Sequence, residues 1–164
     1  MPPRQTEEEQ ADFARALQAV AEQGPLPQAE LDSLSVLEGP DFERFRSAWN
    51  TLPSPAKARL IIALRGAAED RLRLDFSALN LLALDDPDPQ VRLAGVQAAI
   101  EDKSPQLLRK LLDLVEHDPN IDVRWGAAEG TPEYASCRRH APDDQRARMA
   151  EYRAWFRDAR RPPR

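Results

Sequence analysis

Residues 79–130, LNLLALDDPDPQVRLAGVQAAIEDKSPQLLRKLLDLVEHDPNIDVRWGAAEG, state one pattern twice. Leu79, Leu82, Asp86, Pro87, Val91 and Arg92 recur as Leu111, Leu114, Asp118, Pro119, Val123 and Arg124, each displaced by 32 positions. A fixed period of that size marks supersecondary units that stack, because one such unit cannot bury its own apolar face without a neighbour.

Each unit reads as helix, tight turn, helix. In the first, Leu79, Leu82 and Ala83 form a stripe at helical spacing, and Asp85-Asp86-Pro87 ends it. Asp88 then serves as N-cap with Pro89 at the first helical position, where the missing N–H costs nothing. The second helix carries Val91, Ala94, Gly95, Ala98 and Ala99, mostly small side chains that permit close approach by its neighbours. Ser104 and Pro105 repeat the cap before Leu107, Leu108, Leu111, Leu112 and Val115; His117-Asp118-Pro119 closes that helix and Asn120 caps the last.

The segments DPDPQVRLAGVQAAIED (86–102) and DPNIDVRWGAAEG (118–130) resemble HEAT repeats, with that family's Asp-Pro turn followed by Val-Arg. The resemblance implies an all-α fold, an α-solenoid of stacked antiparallel helical hairpins, with its clearest repeats at 75–103 and 104–130. It also implies a structural ladder of paired charges along the stack: Asp86 or Asp88 with Arg92, and Asp118 or Asp122 with Arg124. A guanidinium suits that role, since it holds two carboxylate oxygens at once and can also satisfy turn carbonyls.

Working outward, a chain of 164 residues is long enough for a single domain of about four helical hairpins. No alternating run suggests a strand, no apolar segment approaches a membrane span, and MPPRQTEEEQ lacks the apolar core of a signal peptide. No membrane association and cytoplasmic residence are the resulting expectations. Toward the amino terminus, Thr6 and three glutamates open a helix that sets Phe13, Ala16, Leu17, Val20 and Ala21 on one face, stopped by Gly24-Pro25. A short helix from about Pro27 uses Leu31, Leu34 and Leu37 and is expected to end at Gly39-Pro40. Asp41 is expected to cap a helix bearing Phe42, Phe45, Trp49 and Leu52, with these aromatics in the core. After Pro53-Ser54-Pro55 comes a degenerate earlier copy of the repeat, in which Arg59 sits 33 positions before Arg92 and the turn acid is lost. The charge ladder is therefore expected to begin one unit later.

Residues 1–130 form the repeat domain and hold 14 Lys or Arg against 23 acids, a balance of −9. Residues 131–164 form a divergent, basic C-terminal tail with nine Arg against five acids, a balance of +4. Three readings of the tail stand side by side: a closing helix in which Trp155 and Phe156 cover apolar surface, a disordered basic arm, or a tether to phosphates or acidic partners.

No catalytic, cofactor or metal site is read from the chain. Cys137 and His140 have a two-ligand spacing but lack the further ligands that zinc requires. Neither His117 nor His140 has a nucleophile motif beside it, and there is no Gly-rich phosphate loop. The pairs Asp85-Asp86 and Glu101-Asp102 read as helix-end acids. The expectation is a protein-protein interaction module or scaffold without enzymatic activity. Its acidic body favours a basic protein or peptide partner, with nucleic acid engaged only through the basic tail. The alternative carried by the resemblance is a HEAT-like protein acting on nucleic acid, of the DNA glycosylase kind, or a bilin lyase-like subunit. The first of these needs a basic groove, to which Arg92 and Arg124 would have to contribute.

Overall fold

The computed structural model describes residues 7–71, 73–100 and 104–130. Those residues form eight α-helices and no strand: α1 (Glu7–Ala21), α2 (Gln28–Ser33), α3 (Gly39–Thr51), α4 (Ser54–Asp70), α5 (Ser77–Leu84), α6 (Pro89–Ala99), α7 (Pro105–His117) and α8 (Ile121–Glu129). Among them no helix is long and apolar enough to cross a membrane.

The expected side-chain caps form at Asp88 and Asn120, whereas Ser104 holds the N-cap position of α7 without a side-chain cap hydrogen bond. The Asp88 side chain accepts the N–H of Gln90 at 2.8 Å, and Pro89 begins α6. Asn120 accepts from the N–H groups of Asp122 and Val123 at the start of α8. Each bond satisfies an orphan donor of a helix first turn. Asp75 does the same for α5 from one residue further out, accepting from the N–H of Ser77 at 2.8 Å. At its other end, α8 stops at Glu129 and Gly130 donates back to Gly126.

One boundary differs from expectation. Gly39-Pro40 does not close α2 but opens α3, with Pro40 in the first turn and Glu38 as the N-cap residue, so Asp41 lies inside the helix. Proline has no N–H to lose at such a position, and its fixed φ is already helical. Chain reversal falls earlier, at Leu34–Glu38, where Val36 adopts φ 56° and its N–H is held by the carbonyl of Asp75 at 2.8 Å.

Two buried clusters make up the core. One joins Phe13, Ala16 and Val20 of α1 to Phe45 and Trp49 of α3 and to Ile61 and Leu64 of α4, with the Phe45 and Trp49 rings stacked at 6.2 Å. The other joins Leu107, Leu111, Leu114 and Val115 of α7 to Val123 and Ala127 of α8. The α5–α6 pair belongs to both: Leu79, Ala83, Val91, Ala94 and Ala98 face the first cluster, and Leu84, Val96 and Ala99 face the second. Helix α6 packs on its own partner α5, on α4 to one side and on α8 to the other, while α5 touches α4 and α7. A helix buried on two sides needs small side chains, and α6 supplies them. A Cβ at Gly95 would come within 3.0 Å of the Ala83 Cβ and 3.2 Å of the Leu84 backbone nitrogen. Each fully buried valine of α6 stabilises this arrangement by roughly 1.5–3 kcal/mol relative to exposure.

Candidate functional site

The polar groups with the most specific geometry lie in the turns between paired helices. Asp86 and Asp118 occupy the same place in successive turns and are both buried, 4% and 3% exposed. Each first closes its own turn. An Asp86 Oδ1 accepts the N–H of Asp88 at 3.0 Å, and the Asp118 Oδ1 accepts the N–H of Asn120 at 2.8 Å. These are Asx turns, in which a short acidic side chain substitutes for a backbone acceptor two residues on.

The remaining acceptor capacity goes to a cation from the preceding unit. Lys57 Nζ of α4 donates to Asp86 Oδ2 at 2.7 Å. Arg92 of α6 donates from Nε to Asp118 Oδ2 at 2.7 Å and from Nη2 to Oδ1 at 3.0 Å, a bidentate pair. Its Nη1 turns the other way and donates to the carbonyls of Asp86 and Pro87, both at 2.9 Å. Arg92 thus ties its own turn to the next one. Hydrogen bonding to Asp118, reinforced by the charges of Asp118, Asp86 and Asp88, raises the Arg92 pKa against the opposing effect of burial.

This pairing corrects the expected one. The Asp86 carboxylate does not pair with Arg92; each turn acid meets a cation from the helix before its own pair, Lys57 of α4 for Asp86 and Arg92 of α6 for Asp118. Nor does the series begin a unit late, since Lys57, absent from the sequence expectation, starts it. Arg59, aligned with Arg92 by period alone, is exposed and faces elsewhere. The signal that finds Lys57 is position within the helix: Lys57, Arg92 and Arg124 are each the fourth residue of α4, α6 and α8. A cation so near a helix N-terminus opposes the macrodipole, so it is retained there only with a carboxylate to face. Lys57 also lies over the Trp49 ring, 5.3 Å from its centroid.

The other expected residues take different places. Asp88 caps α6, and its carboxyl is held below the usual range, chiefly by the Ser54 hydroxyl of α4 and next by the Gln90 N–H. Asp122 is exposed in the first turn of α8 and joins none of these pairs. Arg124 is half-buried at the position matching Arg92. The buried aromatics Phe45 and Trp49 belong to the core, as expected. Cys137, His140, Trp155, Phe156 and the basic tail lie outside the described residues, as do Thr6, Glu101 and Asp102.

The same positional rule defines a surface. The fifth residues of α4, α6 and α8 are Ala58, Leu93 and Trp125, all half-buried; the ninth are Ile62, Gln97 and Glu129, all exposed. Positions four apart share a helix face, so the second helices present a half-buried apolar row beside an accessible mixed row. Among the described residues, no group of three or more His, Cys, Asp or Glu is placed to hold a metal ion. The chain matches no protein-family model, no curated protein and no solved structure.

Proposed function

We propose that this protein is a HEAT-like α-solenoid that works as a protein-protein interaction module, without catalytic activity of its own. The observation that carries the reading is the turn-to-turn pairing of Lys57 with Asp86 and of Arg92 with Asp118. Buried charge spent on joining one helical pair to the next is what a stacked array requires, and it leaves the faces of the helices for recognition. The partner-binding face is that of α4, α6 and α8, where Ala58, Leu93 and Trp125 supply apolar area and Glu129 an exposed carboxylate, on a domain of 23 acids against 14 Lys or Arg. A basic, amphipathic protein segment is the complementary partner.

The competing nucleic-acid reading asks Arg92 to line a cationic groove. Arg92 is 8% exposed and its guanidinium nitrogens are all engaged by Asp118 and two carbonyls, which counts against that use.

The test places a photo-crosslinking amino acid at Gln97 and, separately, at Glu116 on α7 of the full chain, in cells of the source. The reading expects a basic protein captured through position 97 and not through 116, and reconstituted binding of that protein weakened by added salt. Crosslinking to nucleic acid at position 97, or equal capture from both positions, would overturn it.

A further inference from the structure

A groove of about 340 Å³ lies between the end of α1 and the flank of α4. Its walls are apolar, with Val20, Leu26, Leu52 and Leu60 among them, and its polar side chains are Gln23 and Arg59. The groove is half-open, and its lining is mostly apolar, as ligand-binding clefts are.

The mouth is built at a conformational cost. Helix α1 ends in a Schellman turn: the N–H of Gly24 bonds the Ala19 carbonyl at 2.9 Å and the N–H of Gln23 bonds the Val20 carbonyl at 3.1 Å. The residue in the left-handed position of such a turn is ordinarily glycine, yet here it is Gln23, with φ 57°, and the glycine follows it. The Gln23 carboxamide oxygen accepts a long, 3.4 Å hydrogen bond from Arg59 Nη2. Arg59 has no carboxylate partner among the described residues, although residues 1–130 hold 23 acids against 14 Lys or Arg. A guanidinium left with a weak amide contact at the rim of an apolar groove is complementary to one thing that brings both an anion and a hydrocarbon body.

We propose that the α1–α4 groove binds a small apolar monocarboxylate of the medium-chain fatty acid class. The acyl chain lies against Leu52 and Leu60, and the carboxylate takes two hydrogen bonds from Arg59 with the Gln23 amide alongside. None of the groove's lining residues belongs to the partner row of Ala58, Leu93 and Trp125.

Isothermal titration of the full chain with sodium octanoate below its micellar concentration tests this, with octanol and octylammonium as companion probes. Octanoate binds at one site and at least about tenfold more tightly than octanol, the worth of a charge-assisted hydrogen bond, and octylammonium does not bind. Arg59→Gln lowers octanoate affinity by about tenfold and leaves octanol unchanged. Ala63→Trp, at an exposed lining position, fills the groove and abolishes binding of both while the helical circular dichroism is retained. Absence of octanoate binding, equal affinity for octanoate and octanol, or binding indifferent to both substitutions would each overturn the proposal.

Discussion

Arg92 and Asp118 stand 26 positions apart in the chain and meet through two parallel hydrogen bonds, one from Nε and one from Nη2. Both side chains are buried, so the pair contributes mainly by what its loss would strand. A carboxylate left without its cation in that place cannot recover water. Removing one partner of a buried pair is therefore far more damaging than replacing both.

Arg92→Met is expected to lower unfolding free energy by about 3 kcal/mol. Adding Asp118→Asn, which keeps an acceptor for the Asn120 N–H, restores part of that loss. The coupling energy from urea denaturation of both single variants and the double should reach at least about 1.5 kcal/mol. A value near zero would show that the two residues act separately.

Lys57→Met keeps an unbranched apolar stem against Trp49 while removing the charge from Asp86. Lysine contributes a single hydrogen bond here, whereas Arg92 makes four. The expected loss is about 2 kcal/mol, below that of Arg92→Met, because Asp86 loses one hydrogen bond and no turn carbonyl is left without its donor. Thermal and urea unfolding of the two variants side by side decide the order.

Glycines at two sites in the second helices should respond to alanine with opposite signs. Gly95→Ala drives a methyl onto the Ala83 Cβ and the Leu84 backbone, neither of which can swing aside, and should destabilise by about 1 kcal/mol despite better helix propensity. At Gly126 the nearest atom, at 3.0 Å, is the terminal Cδ1 of Leu93, which can rotate away. Gly126→Ala should stabilise by about 0.5–1 kcal/mol. Matching signs would mean that the spacing of α5 and α6 is looser than the described contacts.

Val36 is a β-branched residue in the left-handed region with its side chain 62% exposed. Valine there clashes with its own backbone and gains nothing from burial. Val36→Gly should raise stability by about 1 kcal/mol, read as an upward shift in the urea midpoint with an unchanged slope. A destabilised variant would reveal a packing role for the isopropyl group.

Asp88 supplies the pH dependence. Its folded pKa lies below the ordinary carboxylate value, so the unfolded chain binds the proton more readily. The stabilisation is thus present above the unfolded pKa and lost as pH falls through the folded one. Asp88→Asn keeps the cap to Gln90 but cannot titrate. Wild type and variant should therefore converge in melting temperature as pH drops below the carboxylate range, and differ most near neutrality. A constant gap across pH would assign the effect to another group.

Much of the local structure is legible without coordinates. The caps at Asp88 and Asn120, the prolines that begin α6 and α7, and the small residues of α6 each follow from what a helix end or a close contact demands of the nearest residues. Gly39-Pro40 was misleading because the same dipeptide can end one helix or begin the next, and the choice depends on Leu34 and Leu37 turning into the core. Lys57 stayed hidden because the first turn, Pro53-Ser54-Pro55, has lost the spacing of Asp86-Pro87-Asp88, so a constant period points to Arg59 instead. The α1–α4 groove left no trace at all, since it joins residues from separate helices.

From sequence alone came the helical class of the described residues and the matching positions of Asp86 with Asp118 and of Arg92 with Arg124, because periodicity records which positions recur. Tertiary structure alone decided which acid each cation meets. Arg92 lies six positions after Asp86, yet its Nη1 edge is taken by the carbonyls of that turn, and the opposite edge faces the following one. A planar guanidinium has its donors in fixed directions, so the offset between neighbouring helix pairs, and no distance along the chain, determines the carboxylate it reaches.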